Sequence, residues 1–283
     1  MSSDPDAFFM PVADHVGGHR FCLLHPGRGA TKRGSVLYVH PFAEEMNKSR
    51  RMASMQARAL AQAGYDVLQV DLRGCGDSAG DFGDASWNGW IDDVVRAASW
   101  LRAQGAKGTG SLEPPSLWLW GLRAGCLLAA QAAAQMPCSC NFVFWQPTPA
   151  GKILLQQFLR LKVAGDMLDR EARGGMEKIR ALLASGHSVE VAGYQLTPEL
   201  AAGLEKAVLE PPTYRSTGRL RWLEVSARED AQLGPASTRS IARWQQAGFD
   251  VSARLIVGPA FWQTTEIEDA PALIEATLAA MDA

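Results

Sequence analysis

Residues 116–126 read Ser-Leu-Trp-Leu-Trp-Gly-Leu-Arg-Ala-Gly-Cys, an apolar strand pattern that runs into Gly121-Leu122-Arg123-Ala124-Gly125 and then into a helical pattern. A strand, a G-x-S-x-G turn and a helix make a nucleophile elbow, in which a serine stands on a sharp bend with its hydroxyl exposed. Here the central residue is Arg123. A guanidinium keeps its proton in proteins and cannot attack a carbonyl. The segment has the shape of an acyl-transfer site without its nucleophile.

Such a site also needs a base to take the proton and an acid to orient the base. The acid is expected after the strand pattern Leu220–Val225, where Ser226-Ala227-Arg228-Glu229-Asp230 supplies Asp230, with Glu229 as second choice. The base is expected after Val251–Val257. That loop reads Gly258-Pro259-Ala260-Phe261-Trp262-Gln263, and no histidine follows His187. Phe261 or Trp262 fills the base position. Two of three parts are missing together, which points away from acyl transfer. Cys126, one helical turn past Arg123, reads as a packing residue facing the sheet. Cys75 reads as an exposed loop residue, and Ser78 as a hydroxyl that caps its glycine-rich loop. His40 reads as a group that hydrogen-bonds and shapes its own loop, with proton transfer as the other role.

Helix N-termini attract anions, and a guanidinium fork suits carboxylate or phosphate. Arg123 therefore has two readings. It pairs internally with Asp230, Glu229, Glu44 or Glu45, or it binds an external anion, and one arginine can do both. Asn47 or Ser49 is expected to cap the following helix, with Glu44–Arg51 as its solvated start. Among the tryptophans Trp87, Trp90, Trp145 and Trp262, Trp90 is assigned to the core and Trp262 to a pocket. Arg123, Asp230 and His40 mark the catalytic positions, and Phe42, Arg123, Ala124 and Trp262 are the candidate ligand-binding residues.

These residues need a scaffold. Residues 7–25 read as a β-hairpin around a Gly17-Gly18 turn. Strand patterns at Ser35–Val39, Tyr65–Val70, Leu117–Trp120 and Asn141–Trp145 alternate with helical ones at Ser49–Ala63, Trp90–Gln104 and Ala124–Gln135. The alternation breaks over 151–217 and resumes with Leu220–Val225, Ser237–Ala247, Val251–Val257 and Pro271–Met281. This predicts an α/β fold with a mostly parallel, doubly wound sheet. Residues 1–150 and 218–283 form its core, and 151–217 a lid inserted over the edge where open α/β sheets bind ligands.

His40-Pro41-Phe42, Asp71-Leu72-Arg73-Gly74-Cys75-Gly76-Asp77-Ser78, Gly121–Gly125 and Gln146-Pro147 each follow a strand, in order. In this they resemble the α/β-hydrolases, with His40-Pro41-Phe42 at the oxyanion loop. The segments His40–Lys48, Gly121–Gly125 and Phe261–Glu268 further resemble the exosortase A system-associated hydrolase 2 family. That resemblance implies a hydrolase-superfamily chain in an exopolysaccharide or protein-sorting setting, without fixing a reaction.

The totals narrow the classes. The 283 residues are 47% hydrophobic, enough for a substantial core. Lys and Arg (28) nearly balance Asp and Glu (30), which argues against a nucleic-acid partner. No apolar run is long enough to span a membrane, and the polar, acidic start does not read as a signal peptide. Five scattered cysteines fit reduced thiols in the cytoplasm. No metal or cofactor is expected. The expected function is binding of an anionic or acyl small molecule, or of a protein partner. The alternatives are an ester or thioester hydrolase with a rearranged site, and a lyase or isomerase that uses Arg123 electrostatically.

Overall fold

The computed structural model describes residues 4–12, 18–29, 32–109, 116–168, 175–213 and 218–282. The chain begins with a hairpin of β1 (Asp6–Val12) and β2 (Gly18–His25), paired antiparallel from Asp6–Leu24 to Val12–Gly18. Gly17 of the expected turn lies outside the described residues. Strands and helices then alternate as β3 (Gly34–Val39), α1 (Glu44–Gln62), β4 (Tyr65–Val70), α2 (Trp87–Thr109), β5 (Leu117–Leu122), α3 (Ala124–Ala133) and β6 (Asn141–Trp145). An interruption follows, with α4 (Gly151–Leu168), α5 (Gly175–Ala184), a small hairpin of β7 (Val189–Val191) and β8 (Tyr194–Leu196), and α6 (Pro198–Lys206). The alternation closes with β9 (Arg219–Ser226), α7 (Pro235–Gln246), β10 (Asp250–Val257) and α8 (Pro271–Asp282).

The described strands of the main sheet lie in the order β1-β2-β4-β3-β5-β6-β9-β10. β4, β3, β5, β6, β9 and β10 run parallel, and β2 meets β4 antiparallel. This is the expected mostly parallel α/β sheet. Its central strands β3 and β5 have every residue buried, as a sheet covered on both faces requires. Alternate residues feed two separate cores. Leu37, Val39, Leu119, Phe142 and Phe144 pack with α2 and α3, while Val36, Tyr38, Trp118, Trp120 and Trp145 pack with α1 and α8.

Besides shifted ends, as in α2, which begins three residues before and ends five residues after the expected Trp90–Gln104, two elements differ in kind from expectation. α1 starts at Glu44, five residues before the expected Ser49, because the chain bends sharply at Ala43 (φ 49°). Asn47 and Ser49 are therefore inside the helix and cap nothing, and no side chain caps its start. Glu44 and Glu45 in the first turn suit the positive end of the helix dipole instead. The β7–β8 hairpin was not foreseen, since three-residue strands are too short to show alternation. Its Ala192-Gly193 turn has positive φ at both residues (50° and 84°), the signature of a type I′ turn.

The ends of the interruption are pinned together where Gly151 N donates to Ala207 O (2.9 Å) and Leu209 N to Pro149 O (3.0 Å). α4 packs on α6 and α5, and Tyr194 of β8 meets Phe82 at 4.9 Å, in the loop before α2. Close approach also fixes the start of α3, because a Cβ on Gly125 would stand 2.0 Å from the Val39 carbonyl oxygen. Gly125→Ala is expected to lower stability in urea unfolding by about 3 kcal/mol through overpacking against backbone. Gly165→Ala, in open space on α4, is expected to raise it by about 0.5–1 kcal/mol.

Candidate functional site

The carboxyl ends of three neighbouring strands carry strained backbone. Ala43 after β3, Arg123 after β5 and Gln146 after β6 are non-glycine residues with positive φ (49°, 55° and 45°). Such conformations cost roughly 1–3 kcal/mol each and cluster at functional sites. Arg123 stands at the N-cap of α3 with ψ −112°, its N–H bonded to the Trp145 carbonyl (3.0 Å). The flanking glycines make the bend possible. A Cβ on Gly121 would come within 2.6 Å of the backbone of Gly125 and Cys126. The elbow is thus fully formed around an arginine.

The Arg123 guanidinium is nearly closed to water and bonded on all its nitrogens. Nε donates to Glu45 Oε1 (3.2 Å), Nη2 to Glu45 Oε1 (3.0 Å) and Gln157 Oε1 (2.5 Å), and Nη1 to Thr148 Oγ1 (3.4 Å). Both partners of the ion pair are buried, with side-chain exposures of 8% and 10%. Burial pushes the Glu45 carboxyl up from its ordinary range, against the pull of Arg123 and a hydrogen bond to Gln263. The Trp262 ring lies 5.9 Å from the guanidinium carbon, within cation–π reach.

Of the two readings for Arg123, the internal pair is the one formed, and its partner is Glu45. Asp230, the expected acid, is instead on the surface. It is 75% exposed and bonded to Arg228 (2.9 Å), which holds its carboxyl below the usual value. Glu229 is exposed beside it. Of the expected base positions, Phe261 packs against Trp145 at 6.1 Å, and Trp262 is the one that meets Arg123. Trp262 was assigned to a pocket but is buried in the α1–α8 core, where its ring packs on Phe261 at 5.0 Å. The start of α1 is likewise not simply solvated, since Glu45 is turned inward to meet the arginine.

His40 ties two loops together. Its Nε2 accepts from the Leu72 N–H (3.2 Å), which leaves the proton on Nδ1 for the Pro41 carbonyl (2.8 Å). Burial holds its pKa down, so the ring is neutral with both nitrogens engaged. Cys126 is fully buried, its thiol donating to the Gly121 carbonyl (3.3 Å) and pushed well above the ordinary cysteine pKa by desolvation. Cys75 was expected to be exposed but is buried under its loop, which pushes its thiol up as well. Ser78 holds that loop as expected, donating to the Asp71 carbonyl and accepting from Phe21 N. Cys138 is the contrast. Half-buried beside Cys140 and Arg102, it is drawn down to about 6.

A cavity of about 270 Å³ opens between α1 and α4. Phe42, Leu154, Phe158 and Leu161 form its apolar walls, with Glu44, Glu45, Lys48, Gln157 and Gln263 as polar lining. Leu154, Gln157, Phe158 and Leu161 recur at i, i+3, i+4 and i+7, one face of α4. Of the expected ligand-binding residues, Phe42 lines this cavity. Arg123, Ala124 and Trp262 do not, and Arg123 stands behind Glu45 and Gln157. Sequence reasoning missed Gln157 and Thr148. The signal for Gln157 was a polar pair, Gln156-Gln157, inside an apolar helix. Among the described residues no group of three His, Cys, Asp or Glu is placed to hold a metal ion.

The sheet order, the elbow after β5 and the interruption after β6 decide the fold. The chain has the α/β-hydrolase fold. A family model described as serine aminopeptidase, S33, matches residues 30–170. Similar solved structures include XC6422 from Xanthomonas campestris, described as an α/β serine hydrolase without a lid. It is 17% identical, with 100% of this chain and 95% of that chain covered and a TM-score of 0.54. Est1E from Butyrivibrio proteoclasticus, solved with ferulic acid, is 15% identical, with 97% of this chain and 100% of that chain covered and a TM-score of 0.61. A soluble variant of monoglyceride lipase from Saccharomyces cerevisiae is 14% identical, with 99% and 94% covered and a TM-score of 0.59. At these identities the likeness carries the fold alone. No curated protein sequence matches the chain.

Breaking a buried ion pair by removing one partner typically costs about 3–5 kcal/mol, whereas replacing both partners is often neutral. Glu45→Gln and Arg123→Met are each expected to lose about that much in chemical unfolding. The double variant is expected to be more stable than either single one. At neutral pH, iodoacetamide is expected to label Cys138 first in the native protein and to leave Cys126 unmodified until unfolding, as read by peptide mass spectrometry.

Proposed function

We propose that this α/β-hydrolase-fold protein is a binding protein in which the former catalytic corner has become structural. The ligand carries an acyl or other apolar chain and sits in the cavity between α1 and α4, with residues 151–217 as the lid over it. The observation that carries this reading is the Arg123–Glu45 pair. It fills the elbow where acyl transfer needs a nucleophile and room for a developing oxyanion. Support for the apolar chain comes from the four large side chains that wall the cavity. Arg123 as an anchor for an external anion loses support, because Glu45 answers its charge and four of its five N–H donors are engaged.

The rearranged hydrolase gains no support from the geometry. His40 has no free ring nitrogen, the Cys126 thiol is shut away from solvent, and Asp230 faces water beside Arg228. A lyase or isomerase built on the Arg123 charge fares no better, since Glu45 neutralises that charge in place. The resemblance of His40–Lys48 and Phe261–Glu268 to the exosortase A system-associated hydrolase 2 family suggests an exopolysaccharide or protein-sorting setting, in which a protein partner is part of the proposal. Five free cysteines support the cytoplasm as its compartment. No described helix is long and apolar enough to cross a membrane.

The purified protein is expected to turn over neither p-nitrophenyl esters nor acyl-CoA thioesters of graded chain length, and to take no label from a fluorophosphonate. Arg123→Ser is expected to stay equally inert, because a serine there still lacks a base. Wild-type turnover that disappears in Arg123→Ala contradicts the reading.

A further inference from the structure

β10 ends the order of the described strands, and its substantial packing is against β9, α7 and α8. A strand edge with unpaired N–H and C=O groups is a template for another strand, and native edges are usually blunted by proline, lysine or a bulge. β1, at the other end of the sheet, carries Pro11. β10 reads Asp-Val-Ser-Ala-Arg-Leu-Ile-Val, eight residues without proline or lysine. It matches β9 residue for residue from Asp250–Arg219 to Val257–Ser226, so no bulge interrupts it.

The ladder shows which groups face outward. Asp250 N donates to Gly218 O and Gly258 N to Ser226 O (both 2.9 Å), so the even-numbered residues bond to β9. Val251, Ala253, Leu255 and Val257 therefore turn their N–H and C=O groups to the open edge. The even-numbered side chains lie on the α8 face, where Ile256 is buried and Asp250 and Arg254 are exposed. Asp250 touches Arg221 Nη1 (3.1 Å) but keeps a side chain 68% exposed, and Arg254 joins no ion pair among the described residues.

A second copy fits this edge in one register. Because the outward residues are odd-numbered, an antiparallel copy must pair odd with odd. With the two-fold axis on Ser252, Val251 and the partner's Ala253 exchange backbone bonds. Asp250 then stands opposite the partner's Arg254, in a non-hydrogen-bonded pair where opposed side chains come closest. With the axis on Ala253, Asp250 would face the partner's Ile256. With the axis on Arg254, two guanidinium groups would oppose each other. We infer that β10 is the interface of an antiparallel homodimer, joined edge to edge with Ser252 on the two-fold axis. The interface is isologous, so each charge pair forms twice.

Sedimentation velocity over graded protein concentrations reads the dimer, and cysteine cross-linking reads its register. The wild type is expected to pass from monomer to dimer as concentration rises. Arg254→Asp sets like charges opposite each other and is expected to weaken the dimer about tenfold. Ala253→Pro removes an outward N–H where an edge strand tolerates proline, and is expected to abolish the dimer. In a Cys138→Ser background, mild oxidation is expected to link Ser252→Cys to its own copy and to leave Arg254→Cys unlinked. Three results overturn the inference: a wild type that stays monomeric at every concentration, a dimer indifferent to Arg254→Asp and Ala253→Pro, or linkage through Arg254→Cys in place of Ser252→Cys. The first leaves the edge open to an extended segment of another protein. Melting curves check that the variants fold, and the Ser252→Cys arm decides the register even where Ala253→Pro does not fold.

Discussion

Arg123 brings a full positive charge into a corner nearly closed to water, and the site is organised around how that charge is answered. An isolated buried guanidinium is prohibitively costly, so the elbow holds an arginine only if a carboxylate meets it. Glu45 does so from α1, which starts early enough to reach because the chain turns at Ala43. Gln157 adds a bond from α4, Thr148 one from the loop after β6, and Trp262 its ring face from the loop after β10. One side chain thus links four segments that approach the sheet edge independently. A buried ion pair is weak evidence of net stability. What it supplies here is a fixed arrangement of those segments.

The backbone has the bends of a nucleophile elbow with an arginine at its centre. Strain persists at Ala43, Arg123 and Gln146, and the close contacts at Gly121 and Gly125 still shape the elbow. In an active site that strain aims a nucleophile and a set of backbone donors. Here it aims an arginine inward and turns the start of α1 toward the cavity. The interruption after β6 then supplies the apolar face, so that the cavity lies between α1 and α4 rather than over the elbow itself. The binding role proposed for the protein follows from that displacement.

The α/β alternation was legible in the sequence because parallel strands buried on both faces read as short apolar runs, and Tyr65–Val70 and Asn141–Trp145 fall where those runs predict. The elbow was legible because Gly121, Arg123 and Gly125 keep their spacing. Less visible was anything set by long-range contact. Glu45 was one of four candidate partners for Arg123, and only the bend at Ala43 decides among them. Asp230 follows the strand expected to carry an acid, yet a neighbouring arginine and an open loop draw it to the surface. Trp262, read as a pocket residue, and Cys75, read as exposed, show the same limit, since a loop residue's surroundings are set by how the loop folds. The β7–β8 hairpin escaped notice because strands of three residues are too short to show an alternation that stands out.

The most direct test of the central claim is the side-chain NMR signal of Arg123 Nε–H, followed during titration with phosphate and with acetate. A guanidinium locked to Glu45 gives a slowly exchanging resonance that does not move with either anion and that broadens or shifts in Glu45→Gln. A rapidly exchanging resonance that moves saturably with added anion would contradict the account. It would mean that Arg123 is free to receive a ligand and that the elbow is still a binding site in its own right.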